Sequence, residues 1–389
     1  MKSSDDRKND SLTIGVICGA PPHVQDGVGD FAWLLARELT RQFSIHYLAP
    51  RWENTPSPEV PDGISMRWIQ PGWNRAACEE TDAWMEKLRP NVLLVHFVPQ
   101  LYGWNGAKPS FALLLRKLAR RGYRIVTVAH EFYAPFGPSP KTMVWSAAQR
   151  ILWRLVLGAS RKVVVTTPFV LEQLRADFPS RRDDFTQIPA GCPIPVVPVS
   201  PARRLELRSQ LGIGETDFLI TTLGGVPDSL EKLFDRAHRE TATAKLLVIG
   251  KSGNAVRERL SQNAGIRDAV LTTGTVTNTA MSEYLSLSDL YVALIPDGAS
   301  ARRTSFLVGL AHGLPTVTNA GPLTDVTLKS SEAFCLLNGD CQLNALQLFC
   351  NNTERRNELG ILGKKFFAEN FSWEMIGRRY ADSLTEVAR

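Results

Sequence analysis

Short apolar runs alternate with amphipathic helical segments along most of the chain, and this alternation restricts the possible folds more than any other feature. Residues 12–18 form an apolar run that leads into a Gly/Pro-rich loop and then into a segment with apolar residues at helical spacing. The pattern recurs, with further strands predicted at 45–48, 92–97, 124–128 and 162–166. Strands that alternate with helices predict an α/β fold, in which a doubly wound parallel sheet is covered by helices on both faces.

A proline-rich segment, GCPIPVVPVSPARR at 191–204, divides this pattern in two. Its four prolines prevent either a helix or a strand from continuing. The alternation then resumes, with strands predicted at 218–223, 245–249, 269–272, 290–295, 316–318 and 333–336. Because 389 residues exceed one ordinary core, we predict two parallel-sheet domains joined by a hinge. A ligand cleft is expected between the carboxyl ends of the two sheets.

Charge and cysteine content narrow the class of protein. Lys and Arg number 45 against 39 Asp and Glu, and this net charge of +6 favours phosphorylated ligands or an anionic membrane surface. It falls short of the charge density of nucleic-acid-binding proteins, so we predict no nucleic-acid partner. The six cysteines include no CxxC pair, which favours a reducing cytoplasm. The polar start MKSSDDRKNDS and the absence of a long apolar run predict a soluble or peripheral protein.

The segment PDGASARRTSFLVGLAHGLP, residues 296–315, places two adjacent arginines where a helix is predicted to begin. Arg302 and Arg303 would lie in the first turn, where the helix dipole disfavours cations unless an anion is bound. Their guanidinium groups, the helix N–H groups and the hydroxyls of Ser300, Thr304 and Ser305 would converge, which predicts an anion site. Two solvated arginines are the alternative.

The first loop, GAPPHVQDGVGD, carries Gly27 and Gly29 directly before a predicted helix. Glycines let the backbone approach a ligand closely, and a helix start offers N–H groups to an anion. The GxGxxG spacing of a dinucleotide-binding loop is absent. The loop therefore indicates either a ligand contact or a plain structural turn.

Two histidines lie at the ends of predicted strands, His96 in VLLVHFVPQLYG and His130 in VTVAHEFYAP. Strand ends face the cleft in this class of fold, where an imidazole can hydrogen-bond a ligand hydroxyl or transfer a proton. We expect His96 to be packed and satisfied beneath the loop. For His130, which precedes Glu131 and an aromatic-rich loop, we predict a functional role.

The segment KTMVWSAAQRILWRLVLGASRK at 141–162 combines apolar residues and tryptophans with basic residues. Together with RKLARRGYR at 116–124, it concentrates positive charge near tryptophans in the first half. This pattern is typical of a surface that rests on anionic lipid headgroups. A core helix with a solvated basic face is the alternative interpretation.

Four segments resemble the family-4 glycosyltransferases of GT-B fold. GAPPHVQDGVGDFAWLLARELT is similar to the family's N-terminal glycine loop and helix, and VAHEFYAP is similar to its histidine-bearing strand end. LSLSDLYVALIPDGAS and GLAHGLPTVTNAG match the donor-binding signature in order and spacing, and ENFSWEMIGRRYADSL resembles the closing helix. The resemblance covers nearly the whole chain after the polar leader and is most specific at 283–321.

The resemblance implies two Rossmann-like doubly wound domains that face each other across a cleft and bind a nucleotide-sugar there. It implies a polar leader at 1–11, an acceptor-side domain at 12–195, a donor-binding domain at 196–365 and a C-terminal helix at 366–389 that crosses back. His130 would approach the transferred sugar and is the predicted catalytic residue. The predicted donor-binding residues are Gly27, Gly29, Gly225, Lys232, Lys251, Ser300, Arg302, Arg303, Thr304 and Ser305. The predicted acceptor-side residues are Asp26, His96, Tyr102 and Glu131.

The chain departs from the family's pattern in its charged donor-binding residues. The family usually has a glutamate at each end of a nine-residue window, where this chain has Ser300 and Val308. The family also has an arginine and a lysine after the first strand of the second domain. In this chain the corresponding segment is TTLGGVPDSLEK, in which Lys232 lies further from the strand than in the family's pattern. We therefore predict that Arg302 and Arg303 supply charge for the donor diphosphate.

These features predict a retaining glycosyltransferase that moves a sugar from a nucleoside diphosphate to a hydroxyl of a glycan, lipid-linked or small-molecule acceptor. No Asp-x-Asp pair lies in a suitable loop, so we expect no metal, and we expect no cofactor besides the nucleotide-sugar substrate. Two alternatives stay open on the same fold: a nucleotide-sugar epimerase and a non-catalytic binding protein. We predict a cytoplasmic location, with peripheral attachment at the inner membrane face as a further possibility.

Overall fold

A computed structural model describes residues 12–22, 26–53, 59–103, 108–134, 136–337 and 345–389. The chain forms two compact units. The first unit runs to Pro189 and includes Ile376–Arg389, and the second unit is Ala190–Met375. We predicted domain boundaries at residues 195 and 365, and these boundaries remain predictions.

The first unit contains a seven-stranded sheet in the order β3-β2-β1-β4-β5-β6-β7. All its strand pairs are parallel. Its strands are β1 (Thr13–Cys18), β2 (Ser44–Pro50), β3 (Ile64–Ile69), β4 (Val92–Phe97), β5 (Ile125–Ala129), β6 (Lys162–Val165) and β7 (Phe185–Gln187).

Helices connect these strands. They are α1 (Gly27–Leu39), α2 (Arg75–Leu88), α3 (Ser110–Arg120), α4 (Pro140–Ala159) and α5 (Pro168–Asp177), with short 3₁₀ helices at Pro99–Tyr102 and Pro179–Asp184. Side-chain caps define several helix starts, because each cap satisfies an N–H group that lacks an intrahelical partner. Asn74 caps α2, Ser139 forms a capping box at α4, and Thr167 caps α5.

The second unit repeats this plan with a six-stranded parallel sheet in the order β10-β9-β8-β11-β12-β13. Its strands are β8 (Phe218–Leu223), β9 (Ala244–Ile249), β10 (Val270–Gly274), β11 (Leu290–Ala293), β12 (Thr316–Asn319) and β13 (Cys335–Leu337). Its helices are α6 (Pro201–Gln210), α7 (Asp228–Glu240), α8 (Gly253–Leu260), α9 (Asn278–Leu285), α10 (Thr304–Ala311), α11 (Val326–Lys329), α12 (Ala345–Cys350) and α13 (Thr353–Asn370), with a 3₁₀ helix at Arg267–Ala269.

The last helix, α14 (Trp373–Ala388), brings the end of the chain back to the first unit. The rings of Tyr380 and Phe31 lie with centroids 6.4 Å apart, and Lys162 forms an ion pair with Glu386. Gly377 lies against Glu38, since a Cβ atom at this glycine would stand 2.3 Å from the Glu38 side chain. The final turns of the chain are thus an integral part of the first unit.

The predicted fold class is confirmed: both units are doubly wound parallel sheets covered by helices. β4 and β8 have the predicted bounds, because each is a mostly apolar run that is buried along all or nearly all of its length. β3 and β7 were not predicted. β3 alternates buried and exposed positions at the sheet edge, and β7 is only three residues long.

Candidate functional site

The order of strands reverses next to β1 in the first unit, since β1 lies between β2 and β4. Loops that leave the carboxyl ends of strands at such a point diverge and open a crevice, which is where ligands of this fold class bind. The Gly/Pro-rich loop after β1 leads there to α1, and His96 lies near the end of β4, paired in register with Cys18 of β1. The loop and His96 therefore belong to one edge of the sheet.

The loop before α1 is shaped by a cap and by a close backbone approach. The Asp26 carboxylate accepts hydrogen bonds from the N–H groups of Val28 and Gly29, at 3.0 and 2.9 Å. A Cβ atom at Gly29 would stand 2.5 Å from the carbonyl oxygen of Pro21, so this glycine is needed for packing. Among the described residues other than its chain neighbours, none has an atom within 4 Å of a Cβ position at Gly27, whose backbone a ligand can approach.

His96 and His130 form a pair, although 34 residues separate them in the sequence. His96 Nδ1 lies 3.2 Å from His130 Nε2, and the two rings stack with centroids 5.5 Å apart. Phe31 of α1 meets both rings edge-on, at 5.8 Å from His96 and 5.2 Å from His130. Neither the pairing nor the contribution of Phe31 was predicted, because both depend on the register between strands.

The pair is held neutral by its surroundings. Burial lowers the pKa of His130 to about 4, although its imidazole keeps some exposed surface. Burial, and after it the neighbouring His130, hold the pKa of His96 well below its ordinary value. Two neutral imidazoles at this distance share one N–H, so one ring donates to the other. The free nitrogen of His130 can then donate to or accept from a ligand hydroxyl.

We expected the polar atoms of the His96 ring to have hydrogen-bond partners, and this expectation is wrong for Nε2. Its side chain is 0% exposed, yet Nε2 has no hydrogen-bond partner among the described residues. The Tyr102 hydroxyl donates to the backbone carbonyl of His96 at 2.6 Å and so fixes the strand end. The Glu131 side chain is exposed beside this group. The roles predicted for these residues, and for Asp26, stay predictions.

In the second unit the strand order reverses at β8, which lies between β9 and β11. Gly224 and Gly225 follow β8, and Gly224 N donates to Ile249 O at 2.9 Å. Apart from its chain neighbours, no residue in the described ranges has an atom within 4 Å of a Cβ position at Gly225, so its backbone is accessible. Lys251 is exposed directly after β9, whereas Lys232 is exposed on the second turn of α7. Gly225 and Lys251 therefore share the carboxyl edge of the sheet.

The loop between β11 and α10 is fixed by a second loop, which follows β12. Asn319 bonds Ile295 in both directions, accepting from its N–H at 2.7 Å and donating to its carbonyl at 2.9 Å. Gly298 and Gly321 are in close contact, since a Cβ atom at Gly298 would stand 2.2 Å from the Gly321 nitrogen. Asn319 therefore holds in place the loop that carries the predicted anion site. This role of Asn319 was not predicted from the sequence.

The two arginines were predicted in the first turn of the helix, but they lie directly before it. α10 begins at Thr304, because Arg303 has an extended ψ of 97° and its N–H bonds to Ser300 O. Arg303 is the N-cap residue, and Arg302 is exposed in the turn before it. Arg303 Nη2 forms an ion pair with Asp297 Oδ2 at 2.7 Å, which offsets the unfavourable dipole predicted for an arginine at this place.

The elements of an anion site nonetheless lie together at this helix start. Thr304 and Ser305 occupy its first turn and are partly exposed, and their N–H groups have no intrahelical acceptor. Ser300 is 1% exposed, and its hydroxyl has no partner among the described residues. The Arg303 Nε atom is likewise buried and unpartnered among those residues. A bound anion would satisfy such donors.

The basic segment at 141–162 divides into a core face and an exposed face. Trp153 and Val156 of α4 are buried, whereas Met143, Val144 and Ile151 are 51%, 66% and 59% exposed. Arg150 lies over the rings of Tyr133 and Phe136, at 3.8 and 4.5 Å from their centroids. Within the residues described, no helix has the length and apolar character needed to cross a membrane.

No group of three or more His, Cys, Asp or Glu side chains in the described part of the chain is arranged to hold a metal ion.

Solved structures define the class of this fold. A sucrose-phosphate synthase from Thermosynechococcus elongatus is 15% identical, with a TM-score of 0.71 over 97% of this chain and 99% of its own. The Anabaena protein HepE in complex with UDP and glucose is 12% identical, with a TM-score of 0.68 over 96% and 100%. The catalytic domain of starch synthase IV from Arabidopsis thaliana, bound to ADP and acarbose, is 15% identical, with a TM-score of 0.66 over 97% and 99%. The chain has the GT-B fold of these glycosyltransferases.

A family model matches part of the chain. Residues 25–194 match the model described as Glycosyltransferase Family 4. No curated protein matches the chain. The resemblance stated from the sequence is confirmed.

Proposed function

We propose that the chain is a retaining glycosyltransferase that moves a sugar from a nucleoside diphosphate to an acceptor hydroxyl. One observation carries this proposal. At the start of α10, buried donors of Ser300 and Arg303 that have no partner in the described part of the chain surround helix N–H groups that have no intrahelical acceptor. Such a group of donors suits a diphosphate. Structures of similar fold support the choice of ligand, because HepE binds UDP-glucose and starch synthase IV binds ADP.

The physical task of the site is to stabilise negative charge on the departing diphosphate. The Arg303 guanidinium fork would exchange its bond to Asp297 for two phosphate oxygens, and the N–H groups of Thr304 and Ser305 would complete the contact. Gly225 and Lys251 would approach the same ligand from the neighbouring strands. Guanidinium and helix N–H groups meet this charge without a metal ion, so we propose a metal-independent reaction.

His130 would bind a hydroxyl of the transferred sugar. Its neutral imidazole can form this hydrogen bond at neutral pH without carrying a charge into the site, because burial keeps its pKa at about 4. His96 then acts as a positioning residue through the 3.2 Å contact between the two rings. Gly27 would bring the backbone of the first unit close to the ligand. No side-chain nucleophile is required in this scheme.

We also propose that the acceptor is presented at an anionic membrane surface. The exposed apolar residues Val144 and Ile151 lie seven positions apart on α4, on one face of the helix, with Arg154 exposed one turn later. Leu113 of α3, which packs against α4, is also 52% exposed. Apolar groups beside basic ones are typical of a face that rests on lipid headgroups.

Sedimentation with anionic vesicles at low salt tests this membrane proposal. Ile151→Glu should reduce the bound fraction severalfold, and higher salt should weaken binding by the unmodified chain. Leu205→Glu is the matched control, because Leu205 is equally exposed, at 57%, on α6 of the second unit. Equal recovery of the unmodified chain in the supernatant with and without vesicles contradicts the proposal.

A thermal-shift screen against a panel of nucleotide-sugars tests the main proposal, since a ligand that binds only the folded state raises the melting temperature. The stabilising donor is then incubated alone and with candidate acceptors, and the products are identified. Transfer that requires an acceptor supports a glycosyltransferase. Conversion of the donor alone would indicate an epimerase, and the absence of any stabilising donor would indicate a non-catalytic protein.

A further inference from the structure

A second cavity lies in the first unit, away from the histidine pair. It is a groove of about 770 Å³ at the carboxyl ends of the edge strand β3 and its neighbour β2, bordered by α2. Arg51 and Trp52 follow β2, Trp68 and Gln70 come from the end of β3, and Glu80 comes from α2. None of these residues belongs to the predicted donor or acceptor site.

Aromatic and polar groups alternate around this groove. The Trp68 indole is partly exposed, and the Arg51 guanidinium lies 5.9 Å from its ring centroid. The Glu80 carboxylate is fixed by a 2.7 Å ion pair with Arg67 and remains 34% exposed. A flat apolar ring beside fixed hydrogen-bonding groups suits a ligand with an apolar face and a hydroxyl-bearing edge. A pyranose ring has this combination.

The charges of the groove favour an uncharged ligand. Arg51 and Arg67 are balanced by Glu53 and Glu80. The attraction of an anion to the guanidinium groups is offset by its repulsion from the carboxylates, and the reverse holds for a cation, so neither gains a net attraction. Carboxylates, a guanidinium group and the Gln70 amide together offer both acceptors and donors to neutral hydroxyls.

The chain beyond Gln70 continues from the groove into a left-handed segment. Gly72 and Trp73, which follow the groove and do not line it, have φ angles of 92° and 46°. A left-handed conformation is unfavourable for a bulky residue such as tryptophan, and strain of this kind is concentrated at functional sites. The Ser110 hydroxyl donates to Trp73 O at 2.6 Å, and Lys108 Nζ donates to Gly72 O at 3.4 Å. These two side chains hold the segment next to the groove in place.

The position of the groove relates it to the histidine pair. Both lie at the carboxyl edge of one sheet, and the strand order β3-β2-β1-β4-β5 places two to four strand spacings between them. At the usual spacing of parallel strands, this separation is roughly 10 to 20 Å. A group bound in the groove would thus be remote from a hydroxyl that reacts beside His130.

We infer that this groove binds an uncharged sugar ring of the acceptor, remote from the hydroxyl that receives the transferred sugar. This inference rests on the proposed glycosyl transfer for its role, whereas the binding itself needs no donor. It specifies the acceptor as a neutral oligosaccharide or a glycoconjugate that carries one.

Calorimetric titration of the full chain, without nucleotide, tests the groove. The probes are maltotriose, cellotriose and mannotriose, with trigalacturonate as the anionic comparison. We expect at least one neutral trisaccharide to bind more tightly than trigalacturonate. Trp68→Ala and Glu80→Gln should each weaken that binding by about tenfold, since an aromatic contact or a fixed hydrogen bond contributes an amount of this order.

Matched variants separate binding from folding. Glu79→Gln is the control for Glu80→Gln, because Glu79 lies next to it on α2, pairs with Arg75 at 2.7 Å and does not line the groove. Glu79→Gln should bind as the unmodified chain does, and Trp68→Phe should keep most of the affinity. If Trp68→Ala lowers the melting temperature, Glu80→Gln decides the question, because its side chain keeps the same size at the surface.

Three results would overturn the inference: no binding of any neutral probe, tighter binding of trigalacturonate, or unchanged affinity in both groove variants. None of them bears on donor use, which the nucleotide-sugar screen measures separately. Conversely, the chain could bind a neutral trisaccharide through Trp68 and Glu80 while no nucleotide-sugar raises its melting temperature. That result would support the groove and contradict the proposed function.

Discussion

The histidine pair should make the first unit sensitive to acid, and this sensitivity can be measured. In an unfolded chain a histidine binds its proton near pH 6.5, whereas folded His130 has a pKa of about 4. Between these values the unfolded state binds more protons than the folded state, so the free energy of unfolding falls as the pH falls. Above about pH 6.5 the effect is absent, because both states are neutral.

The size of the effect follows from the same two values. Each pH unit between 6.5 and about 4 costs about 1.4 kcal/mol, so His130 alone should lower the free energy of unfolding by about 3 kcal/mol. His96 acts in the same direction, because its pKa is also lowered by burial. This loss is a large part of the stability of an ordinary domain.

Urea denaturation at a series of pH values, followed by tryptophan fluorescence, provides the assay. His130→Gln is the comparison variant, because a glutamine amide can still bond His96 Nδ1 and does not titrate. Between about pH 7 and about pH 4.5, the unmodified chain should lose about 2 to 3 kcal/mol more stability than this variant. If both proteins lose stability in parallel, His130 is not held neutral by the fold, and the argument for a neutral hydrogen-bonding imidazole is wrong.

Three further predictions concern the glycine loop and the start of α10. Arg303→Ala should lower kcat/KM for the donor by about thirty- to a thousandfold, with a smaller loss for Arg302→Ala; equal effects would contradict the assignment. Ser300→Ala should leave the melting temperature unchanged or raised while weakening donor binding, because it removes a buried hydroxyl without a protein partner among the described residues. Gly29→Ala should lower the free energy of unfolding by about 1 to 3 kcal/mol and Gly27→Ala by much less, as urea denaturation can show, because only Gly29 lies against a backbone carbonyl.

Fold class could be predicted from the sequence because the parallel strands are apolar on both faces. β4 and β8, whose side chains lie inside the sheets, were predicted with their observed bounds. β3 was not predicted because only its first and last residues, Ile64 and Ile69, are buried, as expected for a strand at a sheet edge. The sequence signal for a strand is thus stronger where the strand is more deeply buried.

The candidate site was only partly predictable, since its contacts depend on tertiary register. Glycines before a helix and histidines at strand ends are visible locally, and these were identified. The ion pair between Arg303 and Asp297 depends on the backbone turn at Gly298. The conformation of that turn depends on its contact with Gly321, which belongs to another loop. Trp68 gave no local signal, because its partners in the groove come from other elements.

The return of residues 376–389 to the first unit affects the order in which the chain can mature on a ribosome. Synthesis runs from the N-terminus, and domains generally fold as they emerge. The second unit is contiguous and can complete its core as soon as Met375 has emerged. The first unit, although made earlier, must wait for Tyr380 to reach Phe31 and for Glu386 to reach Lys162. The domain that is translated first is therefore the one that is finished last.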